Sequence, residues 1–194
     1  MNKINLEKKI LRQDQLIKKL KILKTNNKKI VLCHGVFDLL HIGHIKHFEE
    51  ARKNGDILIV SITEDRFVNK GPNRPYFNIN LRSEALAALE LIDYVFISKF
   101  PTAVNVIKLI KPNIYFKGVE YKKDKSDLTR NISEEKLAIK SVGGKIKFSD
   151  DITFSSSNLL NRYADYHSEE KRKYFKNIKK NFNLEKIQKM IDTF

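Results

Sequence analysis

The sequence of 194 residues contains a single cysteine and no long apolar segment. Because Cys33 is alone, an internal disulfide and a cysteine-based zinc cluster are both excluded. No apolar run approaches the roughly 20 residues that a membrane-spanning helix needs, and residues 1–5 lack the uninterrupted apolar stretch of a signal peptide. Hydrophobic residues still make up 41% of the chain, which is enough for a core. We therefore expect a soluble, cytoplasmic protein.

Acidic residues are scarce relative to basic ones, with 23 Asp and Glu against 38 Lys and Arg and a net charge of +15. The excess is concentrated in residues 1–29, which hold ten Lys or Arg and two Asp or Glu. A basic flank of this kind can bind nucleic acid or an anionic membrane. Neither an aromatic nor a Gly-Arg pattern accompanies these lysines. We therefore favour a solvated, lysine-rich helix, and expect neither nucleic acid nor a membrane as a partner.

The rest of the chain shows an alternation of strands and helices. Residues 1–28 are predicted to form a basic amphipathic helix, because apolar residues from Leu6 to Leu23 recur at spacings near three and four. Short apolar runs then predict strands over residues 29–33, 57–62, 94–97, 113–116 and 145–148. Apolar strands that alternate with helices indicate a parallel sheet covered on both sides. We predict an α/β fold, a Rossmann-like doubly wound five-stranded parallel sheet over residues 29–163, with a helical extension over residues 164–194.

The first of these strands leads into the sequence His34-Gly-Val-Phe-Asp-Leu-Leu-His-Ile-Gly-His-Ile-Lys46. Gly35 lets the backbone approach a ligand closely. His41 and His44 flank Gly43 at the start of a helix, where free N–H groups and the helix dipole favour phosphate. Two imidazoles there, with a lysine nearby, predict a phosphate site. The alternatives are structural histidines or a zinc site, but a closed zinc site needs four ligands and no Cys or Glu completes it nearby.

Two further stretches suit phosphate groups. Ser155-Ser-Ser-Asn158 opens a predicted helix, where hydroxyls and free N–H groups bind phosphate, although a plain N-cap would need only one serine. A long loop after the second predicted strand carries Lys70 and Arg74, and cations in such a loop suit a sugar phosphate. A solvated basic loop is the alternative. Arg82 lies at a helix start, where the dipole disfavours a cation, so its position favours a functional role.

The motifs Gly35-Val-Phe-Asp38 and His41-Ile-Gly-His44 together resemble the signature of the cytidylyltransferase-like nucleotidylyltransferases. Within that superfamily, the chain is most similar to the adenylyltransferase domain of the ADP-heptose synthases. Four stretches carry this narrower resemblance: Lys70-Gly-Pro-Asn-Arg-Pro75, Leu86-Ala-Ala-Leu-Glu-Leu-Ile-Asp93, Phe116-Lys-Gly-Val-Glu-Tyr121 and Phe154-Ser-Ser-Ser-Asn-Leu-Leu160. The resemblance covers about residues 29–163.

The resemblance also implies roles for particular residues. His41 and His44 would contact the triphosphate as catalytic groups, with Lys46 as an additional cation. From their positions and charge, rather than from the resemblance, the three cations Lys70, Arg74 and Arg82 are expected to bind the second substrate. The residues expected around the nucleotide are Gly35, Val36, Phe37, Asp38, Gly43, Lys117, Gly118, Glu120, Ser155, Ser156 and Ser157.

The implied reaction joins ATP and a heptose 1-phosphate-like sugar phosphate into a nucleotide-diphospho-sugar and releases pyrophosphate. The resemblance further implies Mg²⁺ carried by the triphosphate rather than by a metal site of the protein, a homodimer, and a sugar kinase as a fused domain or partner. Two alternatives stay open. One is a cytidylyltransferase that makes a CDP-sugar or CDP-alditol. The other is a basic nucleotide- or nucleic-acid-binding module without catalysis.

Overall fold

The computed structural model describes residues 6–69, 74–121 and 132–149, which all lie within one compact unit, Met1–Phe154. The strands are β1 (Ile10–Leu11), β2 (Ile30–Gly35), β3 (Ile57–Thr63), β4 (Tyr94–Ser98), β5 (Ile114–Lys117) and β6 (Lys145–Phe148). The helices are α1 (Gln13–Thr25), α2 (Ile42–Arg52), α3 (Ile79–Ala87), α4 (Ala103–Ile110) and α5 (Ile132–Ser141). The strands form one parallel sheet in the order β1-β4-β3-β2-β5-β6.

The predicted α/β doubly wound parallel sheet is confirmed, but it has six strands in place of five. The additional strand is β1, which lies inside the segment predicted as one continuous helix from Leu6 to Leu23. Ile10 and Leu11 instead pair with β4 at the edge of the sheet, after a short 3₁₀ turn over Leu6–Lys8, and α1 begins only at Gln13. A strand of two residues has no periodicity that a sequence can reveal, and pairing with β4 satisfies its backbone groups.

Helices cover both faces of the sheet. One core contains apolar side chains of α1, α4 and α5, and the other contains side chains of α2 and α3. Successive residues of β2 point to opposite cores, with Leu32 in the first and Cys33 in the second. This two-sided burial explains why the strands read as continuous apolar runs. Leu16, Leu20 and Leu23 of α1 are buried in the first core, so the basic N-terminal helix packs on the sheet.

The strand order creates a crevice where β2 and β5 lie side by side. From β2 the chain passes through α2 to β3 on one side, whereas from β4 it passes through α4 to β5 on the other side. Ligands of doubly wound sheets bind at the carboxyl ends of strands where the order reverses in this way. Gly35 and Lys117 are the last residues of these two strands. The fold therefore directs attention to the segments that follow them.

No helix within the described ranges is long and apolar enough to cross a membrane. The predicted C-terminal extension, residues 164–194, lies outside the described residues, and the domain boundaries at residues 28 and 163 stay predictions.

Candidate active site

The loop after β2, which we call the histidine loop (residues 35–44), turns sharply between the sheet and α2. Phe37 has a positive φ of 47°, in the left-handed region that most residues avoid. Its ring is buried and folds back over Gly35, where an added Cβ would lie 3.1 Å from the ring. Gly35 is thus the residue that admits this conformation. His41 is the N-cap of α2, so the histidine loop includes the first residues of that helix.

His41 has a defined orientation because its ring caps the helix. Its Nδ1 accepts a hydrogen bond from the backbone N–H of Gly43 at 3.1 Å. An imidazole that accepts at Nδ1 carries its proton on Nε2, so the other side of the ring is a hydrogen-bond donor. Burial lowers the pKa of His41, which favours this neutral form at pH 7. The residue therefore presents an N–H donor at the tip of a helix, where the dipole already attracts anions.

His44 lies beside His41 one turn further along α2. The two ring centroids are 3.9 Å apart and the rings are inclined by 31°. The Phe37 ring contacts His44 edge-on, with centroids 5.5 Å apart. The structure thus brings together both histidines predicted from the sequence and places an aromatic ring behind them. Two adjacent imidazoles at a helix N-terminus can donate to phosphoryl oxygens on which charge accumulates.

Lys46 is the third residue predicted to be catalytic, and its side chain lies at the surface. Its Nζ forms an ion pair with Oε2 of Glu49 at 2.8 Å, and half of the side chain is exposed. A surface ion pair of this kind contributes little stability, so Lys46 can exchange Glu49 for another anion. A catalytic role for Lys46 stays a prediction.

The turn after β5 forms the other wall of the crevice and is held from two directions. The N–H of Ser149 donates to the carbonyl of Lys117 at 2.9 Å, and the Ser149 hydroxyl accepts from the N–H of Val119 at 3.1 Å. The Lys117 side chain is nearly buried and pairs with Glu135 at 2.9 Å. Gly118 follows in the same turn. The side chain of Glu120 lies outside the described part of the structure.

Arg82 is fully buried and joins three segments of the chain. Its guanidinium donates to the carbonyls of Phe77, Val36 and Thr63. It also pairs with the carboxylate of Asp65. Arg82 thereby fixes the histidine loop to the end of β3 and to the segment before α3. Direct binding of substrate by Arg82 stays a prediction, whereas the structure shows a cross-link.

Asp38 and Arg74 form a second connection between the same segments. Oδ1 of Asp38 accepts from the N–H groups of Tyr76 and Phe77 at 2.7 and 3.0 Å. Its Oδ2 lies 2.7 Å from Nε of Arg74, an ion pair without good hydrogen-bond alignment. Burial acts to raise the pKa of Asp38, but these two N–H groups and the guanidinium groups of Arg74 and Arg82 hold it below its ordinary value. Arg74, predicted to bind the second substrate, is therefore attached directly to the histidine loop.

Several predicted residues lie outside the described ranges, namely Lys70, Ser155, Ser156 and Ser157. Sequence reasoning had also missed Glu135 and Ser149, which fix the turn after β5. Their only sequence signal is position: Glu135 lies in the first turn of a helix and Ser149 follows β6, as many residues without function do. Within the described parts of the chain, no group of three or more His, Cys, Asp or Glu is placed to hold a metal ion.

Two half-buried histidines near the crevice predict a loss of stability in mild acid. Burial, and secondarily the charge of Lys117, lowers the pKa of His34 to about 3 and of His47 to about 4. Below pH 6.5 the unfolded chain therefore binds protons that the folded chain refuses, which costs up to about 1.4 kcal/mol per pH unit for each ring. We expect the melting temperature to fall steadily from pH 6.5 to pH 4.5.

The control for this prediction is His47→Gln, which removes one of the two rings. Its melting temperature should depend less steeply on pH over the same window, whatever its value at pH 7.5. A melting temperature of the wild type that stays flat from pH 6.5 to pH 4.5 would contradict the burial of neutral histidines.

Comparison with known proteins identifies relatives along most of the chain. A family model described as cytidylyltransferase-like matches residues 32–186. The bifunctional protein HldE of Aliarcobacter butzleri is 44% identical over 120 residues, covering 61% of this chain and 25% of that protein. The bifunctional protein HldE of Campylobacter fetus is 37% identical over 162 residues, covering 82% of this chain and 32% of that protein. The chain thus spans a quarter to a third of the length of these relatives.

Solved structures with the same architecture include a lipopolysaccharide core biosynthesis protein from Thermoplasma volcanium. It is 26% identical with a TM-score of 0.53, covering 66% of this chain and 99% of that one. A pantoate-β-alanine ligase from Francisella tularensis, in complex with β-γ ATP and β-alanine, has a TM-score of 0.58 at 18% identity, covering 95% of this chain and 85% of that one. At that identity the second likeness shows the fold alone.

Proposed function

The chain belongs to the cytidylyltransferase-like family, a nucleotidyltransferase family, and from this premise we propose that it transfers an adenylyl group from ATP to a sugar phosphate. The acceptor we propose is a heptose 1-phosphate or a close analogue, and the products are a nucleotide-diphospho-sugar and pyrophosphate. The similarity to a lipopolysaccharide core biosynthesis protein and to the HldE proteins supports a sugar acceptor.

The observation that carries the proposal is the pair of imidazoles at the N-terminus of α2. With its Nδ1 occupied by the N–H of Gly43, His41 has a donor at Nε2, and the ring of His44 lies 3.9 Å away. A phosphate oxygen of the acceptor attacks the α-phosphorus, and the bond from that phosphorus to the oxygen of the β-phosphate breaks. The attacking oxygen is already anionic at neutral pH. The protein therefore has to align the two substrates and stabilise the charge on the phosphoryl oxygens, and no covalent intermediate is needed.

The second substrate would approach from the segment before α3. Arg74 contacts Asp38 in the histidine loop. We propose that Arg74 binds the acceptor phosphate next to the nucleotide, which the histidine loop would hold. Lys70, in the adjoining segment, is proposed to join it. Because Arg82 connects the same two segments, the acceptor side and the nucleotide side are held as one piece.

Mg²⁺ is proposed to reach the site with the triphosphate. We propose that phosphate oxygens and water, rather than a metal site of the protein, supply most of its ligands. When bound, it would neutralise charge on the triphosphate. Lys46, Lys117 and the serines at 155–157 are proposed to contribute the remaining polar contacts.

We also propose a homodimer and a sugar kinase that supplies the phosphorylated acceptor, as a fused domain or a separate protein. The relatives are bifunctional and three to four times longer than the part that this chain matches, which supports a second activity beside the one encoded here. A cytoplasmic location is proposed with it, since ATP is the donor.

The proposal is tested by measuring pyrophosphate release with each of the four NTPs against a panel of sugar phosphates. We expect release with ATP and a heptose 1-phosphate, and little with ribitol or glycerol phosphates. Preference for CTP would favour the cytidylyltransferase alternative. The residues Val119 and Glu120 are a reason to test it, because the ADP-heptose synthases more often carry Gly and Asp at these two positions. No release with any pair, together with salt-sensitive binding of RNA or DNA in a gel shift, would overturn the proposal in favour of a binding module.

A further inference from the structure

A buried ion pair lies directly behind the turn after β5, and its acidic partner, Glu135, has no role in the reaction as proposed so far. Nζ of Lys117 is 2.9 Å from Oε2 of Glu135, and the two side chains are 10% and 6% exposed. The same oxygen of Glu135 accepts a hydrogen bond from the hydroxyl of Tyr115 at 3.1 Å. Burial, and next the charge of Glu135, raises the pKa of Tyr115, so this hydroxyl stays a donor at every relevant pH.

A buried ion pair is an energetically unfavourable way to stabilise a fold. Removing two charges from water is expensive, and a buried ion pair can often be replaced by apolar side chains without loss of stability. Here the carboxylate is supplied by the first turn of α5, where the helix dipole favours an anion, and is oriented by a fully buried tyrosine. The arrangement therefore fixes the position of the Lys117 ammonium group.

That ammonium group belongs to the last residue of β5, at the carboxyl end of the strand. Its Nζ is 4.1 Å from the ring centroid of Tyr121, which closes the 3₁₀ turn after Gly118. Its charge also acts on His34 and His47, which belong to β2 and α2. Because β5 is the direct neighbour of β2 in the sheet, Lys117 ends the strand next to the one that leads into the histidine loop.

We propose that Glu135 is a positioning residue for the nucleotide site: it holds Lys117, and through it the turn over residues 117–121, in the conformation that binds the nucleotide. This inference rests on the proposed function, and it concerns affinity for the nucleotide rather than the transfer step. Nothing in the sequence distinguishes Glu135 from Glu134, its exposed neighbour in the same helical turn.

The test compares Glu135→Gln with Glu134→Gln, a matched change of an exposed glutamate one residue away. We measure the dissociation constants of ATP and of CTP in the presence of Mg²⁺ by calorimetry, without an acceptor. For whichever nucleotide binds the wild type better, Glu135→Gln should raise the dissociation constant by about tenfold or more, as expected for a lost charge-assisted contact, and Glu134→Gln should leave it unchanged. Equal binding by the two variants would overturn the proposal.

A double variant separates positioning from simple structural support. Lys117→Met with Glu135→Gln removes both charges and leaves no buried ion unpaired, so the melting temperature should recover relative to Glu135→Gln alone. Nucleotide affinity should stay weak, because the ammonium group is gone. If affinity recovers together with stability, the pair is only structural and the proposal is wrong.

The failure of this inference is distinguishable from failure of the proposed function. Wild-type protein that releases pyrophosphate while Glu135→Gln binds nucleotide normally would overturn the inference alone. If nucleotide affinity depends on Glu135 and Lys117, but the wild-type protein transfers the nucleotide to no acceptor, the proposed reaction alone is overturned. Wild-type protein that binds neither ATP nor CTP would overturn both.

Discussion

Replacing His44 with alanine is expected to lower turnover by roughly a hundredfold or more while the protein stays folded. The ring of His44 lies beside His41 at the tip of α2 and can donate to a phosphoryl oxygen as charge develops there. Loss of one such donor typically costs about 2.7–4 kcal/mol of transition-state stabilisation. Because the contact strengthens in the transition state, kcat should fall far more than the affinity for the nucleotide changes.

The measurement is steady-state pyrophosphate release, with kcat and KM determined separately for both substrates. Lys53→Ala is the control, since Lys53 is exposed and lies at the opposite end of the same helix. It should leave both constants unchanged. Near-normal kcat in His44→Ala, with a melting temperature close to that of the wild type, would remove the histidine pair from the mechanism.

The second large effect is expected for Arg82→Met, which should destabilise the protein by about 3–5 kcal/mol. The substitution leaves the carboxylate of Asp65 and the carbonyls of Val36 and Thr63 without the buried guanidinium that they contact. A buried acceptor that loses its donor typically costs about 1–3 kcal/mol, and Asp65 adds less because its side chain is 40% exposed. For a chain of this size the melting temperature should then fall by about 6–20 °C.

Arg66→Met is the matched control, because Arg66 is mostly exposed and its ion pair with Glu64 lies at the surface. Its effect should stay within about 1 kcal/mol. The same experiment also decides how Arg82 acts. If Arg82 were only a substrate ligand, Arg82→Met would raise KM and leave the melting temperature unchanged. The cross-link seen here predicts instead that the melting temperature falls, whether or not KM changes.

The sequence predicted the sheet because its strands are buried on both sides. Runs such as residues 57–62 are apolar almost without interruption, as strands of a parallel sheet covered on both faces require. The histidine loop was predictable for a local reason as well. Gly35, His41, Gly43 and His44 are close in sequence, and a helix N-terminus brings them together by its own geometry.

What the sequence could not predict depends on contacts between distant segments. The pair Ile10 and Leu11 became a strand only because the edge of β4 was available to it. Arg82 was recognised as unusual at a helix start, but its burial depends on acceptors at Val36, Thr63 and Phe77. Contacts over such separations leave no periodic trace in a sequence.

Glu135 is a further case, for a different physical reason. Both Glu134 and Glu135 suit the first turn of a helix, where the dipole stabilises either carboxylate. Only the direction in which each side chain points separates a surface charge from the partner of Lys117, and that direction is set by how α5 packs on the sheet.

The most direct test of the account is a crystal structure of the protein with a non-hydrolysable ATP analogue and Mg²⁺. We predict that the triphosphate lies at the N-terminus of α2, with Nε2 of His41 and a ring nitrogen of His44 at hydrogen-bond distance, about 2.7–3.2 Å, from its oxygens. A triphosphate bound elsewhere on the protein, with both imidazoles facing away from it, would contradict the account.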